Sequence, residues 1–208
     1  MSPRPHERNV LVTVGTTSFD GLIAAMDRLS VVDALRAKGY TSMTMQIGRG
    51  AYKPRRVVPL GCKRFVHRRG AGGKGKRKRV PADGGAEGAD DGGADREDFV
   101  VEVFEFRPSL DRAMRAASLV VSHAGAGSVF EALGLGRPLL VVVNETLMDN
   151  HQEELARELA GRRHLRWCAP DAVEEAITAF DPTGLVPYAP GNPARLAAAF
   201  DQLLGRDD

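Results

Sequence analysis

The sequence has little of several things. It carries only two cysteines, Cys62 and Cys168, and they show no metal-ligand spacing, which points to a reducing compartment. No apolar run approaches the roughly 20 residues of a membrane span. The first residues, "MSPRPHERNVLV", lack the apolar core of a signal peptide. Charge of one sign is missing too: 29 basic residues face 27 acidic ones, a net charge of +2, so no global field attracts nucleic acid. There is no Asp-x-Asp pair to hold a metal ion. These absences lead us to expect a soluble, cytoplasmic chain with no direct membrane span, so that any membrane association comes through a partner.

What is present is an ordinary apolar share, 43% of 208 residues. That is enough for one α/β domain and too short for two ordinary domains with linkers. Val10 to Val14 is a short β-branched run, as in a buried parallel strand. Gly15-Thr16-Thr17-Ser18 turns the chain. A helix follows from about Phe19, with Leu22, Ile23, Met26 and Leu29 at helical spacing and a break near Ser30. Val32 and Leu35 continue the pattern to Gly39, and "SMTMQIG" reads as a second strand. This is a right-handed βαβ start. Later, "DFVVEVFEF", "LVVSHAG", "PLLVVV" and "LRWC" read as strands. "PSLDRAMRAA", "SVFEALGLG", "MDNHQEELARELAGR", "DAVEEAITAF" and "NPARLAAAFDQLLG" read as helices. Asp149 or Asn150 is the N-cap of the third of these. The alternation predicts an α/β fold, a doubly wound and mostly parallel sheet in one Rossmann-like domain over 9–208.

One segment interrupts that domain. Residues 63–98 run from a basic block, "KGKRKR", into an acidic Gly/Ala/Asp block. Such composition cannot bury enough apolar surface to offset its ordering entropy, so it reads as a disordered surface insertion. Its basic half also fits a nuclear-localisation or nucleic-acid patch. "GAGGKGKR" satisfies part of a P-loop, but Arg77 stands where Ser or Thr should hold magnesium, and no apolar strand precedes it.

The loop His123-Ala124-Gly125-Ala126-Gly127-Ser128 lies between a strand and a helix. Two glycines let backbone approach an anion, and the helix start adds unpaired N–H groups and a positive dipole end. A diphosphate is the natural guest. Ser128 and Glu131, three residues apart, read equally well as a capping box. The dinucleotide fingerprint fails, because Phe130 occupies its third glycine position. Gly15 to Ser18 either meets the same phosphates or is an ordinary turn that caps a helix. Asn144, Asp149, Asn150, His151 and Gln152 place neutral hydrogen-bonding groups and a carboxylate beyond a strand end, chemistry that suits sugar hydroxyls.

"VTVGTTSFDGLI", "MQIGRG", "SHAGAGSVFEAL" and "PLLVVVNETLMDNHQEELA" together resemble the small catalytic subunits of the eukaryotic UDP-N-acetylglucosamine transferase of asparagine-linked glycosylation. Those subunits are similar to the C-terminal half of MurG-type glycosyltransferases (family 28). The resemblance covers nearly the whole chain except 63–98. It implies a single Rossmann-like half of a GT-B glycosyltransferase, with UDP-N-acetylglucosamine as donor and no cofactor. The acceptor implied is N-acetylglucosaminyl-diphospho-dolichol at the cytosolic face of the endoplasmic reticulum. A membrane-anchored partner subunit, bound as a heterodimer, is implied to supply the acceptor site and the general base. It further implies that Thr16, Thr17, Gly125, Ala126, Gly127 and Ser128 meet the donor diphosphate, and that Glu131 holds the ribose. Backbone groups of Phe106 and Arg107 would read uracil, and Asn144, His151 and Gln152 the donor sugar. His123 is a local candidate for the base, or else supports the loop. The competing class is a non-catalytic nucleotide-sugar-binding scaffold.

Overall fold

A computed structural model describes residues 8–59, 62–67, 98–144 and 151–189, leaving out the side chain of His151. The expected C-terminal helix, the Asp149/Asn150 cap, the P-loop-like stretch and most of the expected insertion lie outside the described residues.

Among the described residues seven strands form one sheet: β1 (Asn9–Thr13), β2 (Ser42–Gln46), β3 (Arg64–His67), β4 (Phe99–Phe104), β5 (Ala117–His123), β6 (Leu139–Val142) and β7 (Arg166–Cys168). Their spatial order is β3-β4-β2-β1-β5-β6-β7. All neighbours run parallel except β3, which pairs antiparallel with β4. The helices are α1 (Asp20–Met26), α2 (Leu29–Ala37), α3 (Asp111–Ala116), α4 (Ala126–Gly134), α5 (His151–Gly161) and α6 (Val173–Ala179).

The central strands are apolar without alternation because helices cover both faces. Val10 and Val12 of β1, Val121 of β5 and Val142 of β6 join Leu22, Ile23, Val32, Leu35 and Ile177 on one side. Leu11, Val120 and Val141 join Val129, Ala132 and Leu159 on the other. The strand order reverses between β1, which pairs with β2, and β5. In such sheets a ligand crevice opens at that point, beyond the carboxyl ends of the strands.

Two features depart from the sequence reading. The helical pattern breaks at Asp27-Arg28, not near Ser30, and Leu29 is left 53% exposed. The cause is Asp27, whose buried carboxylate accepts N–H bonds from Arg55, Arg56 and Val57 at 2.8–2.9 Å and the Tyr52 hydroxyl at 2.7 Å. It leaves the helix to anchor the loop after β2. The described residues also reach into the expected insertion. Arg64 to His67 pair with Phe99 to Glu102, and the His67 ring nitrogen bonds the Val57 carbonyl at 2.6 Å.

That loop leaves β2 through Gly48, at φ 60°. A Cβ there would press on the Thr17 carbonyl and come within 2.6 Å of Val14 Cγ2. Both the left-handed backbone and the crowding exclude a side chain. Gly48→Ala is expected to destabilise the protein by about 1–3 kcal/mol, read as a lower thermal midpoint.

Candidate donor-binding site

A cleft of about 600 Å³ opens at the switch point. It is walled by the β1–α1 turn, the β5–α4 loop and the segment after β4. Thr16, Gly125, Ala126, Gly127, Ser128 and Glu131 line it, as do Phe106, Arg107 and His123. The structure thus brings the expected diphosphate, ribose and base positions to one cavity. Thr17 does not line it; the Thr17 carbonyl instead accepts the Arg49 N–H at 3.3 Å. Asn144, half-buried beyond β6, and Gln152, in the first turn of α5, are not among its lining residues. Asp149 and Asn150 fall outside the described residues.

The capping readings are corrected. The N-cap of α4 is Gly125, and no side chain caps the helix. Ser128 already lies inside the first turn, so no capping box forms with Glu131, which is exposed. The first N–H groups of α4 therefore stay available at the cleft. The N-cap of α1 is Phe19, also without a side-chain bond, so Thr16, Thr17 and Ser18 cap nothing.

A polar support lies beneath the cleft. Thr13, Gln46 and Ser122 are fully or almost fully buried at strand ends. The Thr13 hydroxyl donates to Gln46 Oε1. The Gly15 N–H donates to Thr13 Oγ1 at 3.0 Å, and Gln46 Nε2 donates to the Gly15 carbonyl at 2.8 Å. Both backbone groups of Gly15, at φ 64°, are thus held from below. Neither Thr13 nor Gln46 was singled out by the motifs. Their only signal was a polar side chain inside a strand too apolar to have an exposed face.

His123 sits between the two glycine loops. A Cβ on Gly15 would come within 2.7 Å of the His123 Cε1 atom, and one on Gly125 within 2.8 Å. Both glycines exist to make room for the ring as much as for a ligand. Burial pushes the His123 pKa below the usual histidine range, against a hydrogen bond to the Thr13 backbone. His67 is lowered as well, chiefly by burial. Because these folded pKa values lie below the unfolded value near 6.5, the unfolded chain takes up protons first. Stability is expected to be full above about pH 6.5 and to fall as pH drops below it. Denaturant midpoints for the parent, His123→Gln and His67→Gln between pH 7.5 and 5 check this, and each variant should flatten the slope.

Arg107 lines the cavity with its side chain already partnered. Its guanidinium pairs with Glu102 and lies 3.9 Å from the Phe104 ring centroid. The Phe106 ring is 67% exposed. What these residues offer a planar base is an apolar ring and backbone groups. Among the described lining residues Arg107 is the only cation. An anion here is therefore met chiefly by loop amides and a helix dipole, not by a basic pocket.

The fold defines a Rossmann-like half-domain with an open crevice at its switch point. The model of the glycosyltransferase family 28 C-terminal domain matches residues 9–201, and the chain belongs to that family. It is 34% identical over 189 residues to the UDP-N-acetylglucosamine transferase subunit ALG13 of Eremothecium gossypii, covering 90% of this chain and 87% of that one. It is 38% identical over 161 residues to the mouse protein of the same name, covering 77% of this chain. It spans only 11% of the length of the mouse and human proteins. Among solved structures, an NMR solution structure of ALG13 superposes with a TM-score of 0.58 at 23% identity, covering 93% of this chain and 95% of that one. The crystal structure of Acinetobacter baumannii MurG gives 0.51 at 18% identity, covering 89% of this chain and 44% of that one. The structural likenesses show a shared fold: this chain corresponds to just under half of MurG. Among the described residues no helix is long and apolar enough to cross a membrane.

Proposed function

We propose that this chain is the donor-binding, catalytic subunit of an inverting N-acetylglucosaminyltransferase. It takes the sugar from UDP-N-acetylglucosamine and passes it to N-acetylglucosaminyl-diphospho-dolichol, the second sugar of a lipid-linked oligosaccharide. The observation that carries this reading is the convergence of the Gly125–Ser128 loop, Thr16 and Glu131 on one cleft at the switch point, in a chain of this family.

The acceptor hydroxyl oxygen attacks the anomeric carbon of the donor sugar. The bond from that carbon to the distal phosphate oxygen breaks, and its electron pair leaves with UDP. A general base, placed in the partner subunit, takes the hydroxyl proton. Negative charge builds on the departing diphosphate, and preorganised amides at the start of α4 stabilise it there. Thr16 faces the same diphosphate, and Thr17 supports the turn that carries it. Glu131 accepts from the ribose hydroxyls. The backbone at Phe106 and Arg107 reads uracil. Asn144, His151 and Gln152 are assigned to the donor sugar. His123, neutral and wedged between the loops, supports them. No cofactor and no obligatory protein-bound metal take part.

The reading further assigns a membrane-anchored partner that holds the acceptor and brings this chain to the cytosolic face of the endoplasmic reticulum. The test is transfer by the chain co-produced with such a partner, supplied with UDP-N-acetylglucosamine and the lipid-linked acceptor. Transfer is expected from the pair and not from the chain alone. Robust transfer by the chain alone contradicts the division of labour. Nucleotide-sugar binding without transfer by the pair favours a scaffold.

A further inference from the structure

We propose that Arg49 and Lys53 form a second anion subsite, beside the donor cleft, that completes the partner's acceptor site by meeting the diphosphate of the lipid-linked acceptor. This inference rests on the functional reading above. A separate cavity of about 380 Å³ is lined by Gly48, Arg49, Lys53 and Glu105 together with Gly15, Thr16 and Phe106. The last three also line the donor cleft, so the two cavities meet at the β1–α1 turn.

The first argument is charge. Among its described lining residues the donor cleft has one cation, Arg107, and it holds the carboxylate of Glu131. One cation is too few for two diphosphates. The acceptor's own diphosphate lies one sugar ring from the attacking hydroxyl, so both diphosphates gather around the same reacting carbon. Their repulsion is large at short range unless cations stand beside them. Arg49 and Lys53 are the cations that the fold puts there.

The second argument is availability. Arg49 is exposed, and among the described residues it has no acidic partner. Lys53 donates to Glu105 at 2.7 Å, but the two side chains are 46% and 69% exposed. An exposed pair of this kind is weak, so a phosphate bearing more charge can take the place of Glu105.

The third argument is preorganisation. The loop that carries both cations is tied down at several points. The Arg49 N–H reaches the Thr17 carbonyl, and the Ala51 N–H reaches Asp20 Oδ2 at 3.1 Å. The Tyr52 hydroxyl and the N–H groups of Arg55 to Val57 reach Asp27. A loop held this way presents its cations at a fixed place relative to the Gly15 turn, so little ordering is left to oppose binding.

The experiment uses the chain assembled with its partner, in neutral detergent, with UDP-N-acetylglucosamine and N-acetylglucosaminyl-diphospho-lipid. Arg49→Ala and Lys53→Ala are each expected to raise the acceptor KM by roughly tenfold, about the loss of one charge-assisted hydrogen bond. Arg49→Glu should raise it further. Donor KM, UDP affinity by calorimetry and thermal midpoint should stay at parent values. An unchanged acceptor KM overturns the inference, as does a rise confined to donor KM. An effect seen only on vesicles containing acidic phospholipid assigns the cations to the membrane surface and also overturns it. If the parent complex transfers no sugar, the functional reading fails and this inference falls with it.

Discussion

Replacing Glu131 by alanine is expected to weaken UDP binding by about 1.5–3 kcal/mol, the range for hydrogen bonds to a charged group. Glu131 is exposed on α4, within the cleft and past the first turn. A carboxylate there can accept from two ribose hydroxyls at once, the stronger kind of bond. Its alternative task, closing a capping box with Ser128, is not performed, because Gly125 is the N-cap and no side chain bonds there. Alanine should therefore leave the thermal midpoint close to that of the parent while lowering affinity. Glu131→Gln removes the charge and keeps the shape, and should fall between parent and alanine. Calorimetry on the assembled complex measures both. If glutamine binds UDP like the parent and alanine lowers only the thermal midpoint, Glu131 does not hold the ribose.

Asp27→Ala should produce the largest loss of stability. The substitution strips four donors, three backbone N–H groups and the Tyr52 hydroxyl, of one common acceptor. Each donor left unsatisfied costs about 1–3 kcal/mol where water cannot reach it. With some donors regaining water, a total loss of about 3 kcal/mol or more follows from the low end of that range. For a domain of this size that lowers the thermal midpoint by roughly 6–12 °C. Asp27→Asn should recover little, because its amide nitrogen meets donors with a donor. The damage reaches function through the loop carrying Arg49 and Lys53, so acceptor KM should rise with the loss of stability. A shift within a degree or two for Asp27→Ala contradicts the assignment of Asp27 as the anchor.

The contrast between these two residues shows what the sequence could and could not disclose. Glu131 follows a glycine loop at a strand–helix junction, and that signal is local in sequence. So are the apolar runs of β1, β5 and β6 and the alternation that fixes a doubly wound sheet. The meeting of Thr16 with Gly125 to Ser128 was one of two readings left open, and it has a simple cause: parallel strands bring their carboxyl ends to one edge. Asp27 falls within the helical spacing of Leu22 to Leu29 with nothing local to mark it. Its partners lie 25 to 30 residues further on, and no periodicity encodes such a bond. Gln46 and Thr13 were hidden in the same way, 33 residues apart. β3 was missed for a different reason. "RFVH" begins a stretch whose composition is dominated by charge and glycine, and four residues at a sheet edge need only pairing with β4, not a two-sided apolar pattern.

The most direct measurement of the central claim is an NMR titration of the isotope-labelled chain, in complex with its partner, with UDP-N-acetylglucosamine. The account predicts that shifts concentrate on the amides of Thr16, Gly125, Ala126, Gly127 and Ser128, with Phe106 and Arg107 following, and that Glu131→Ala weakens them. Shifts centred instead on another surface, such as the groove along α6 at Glu174 and Thr178, or no shifts at saturating donor, would contradict it.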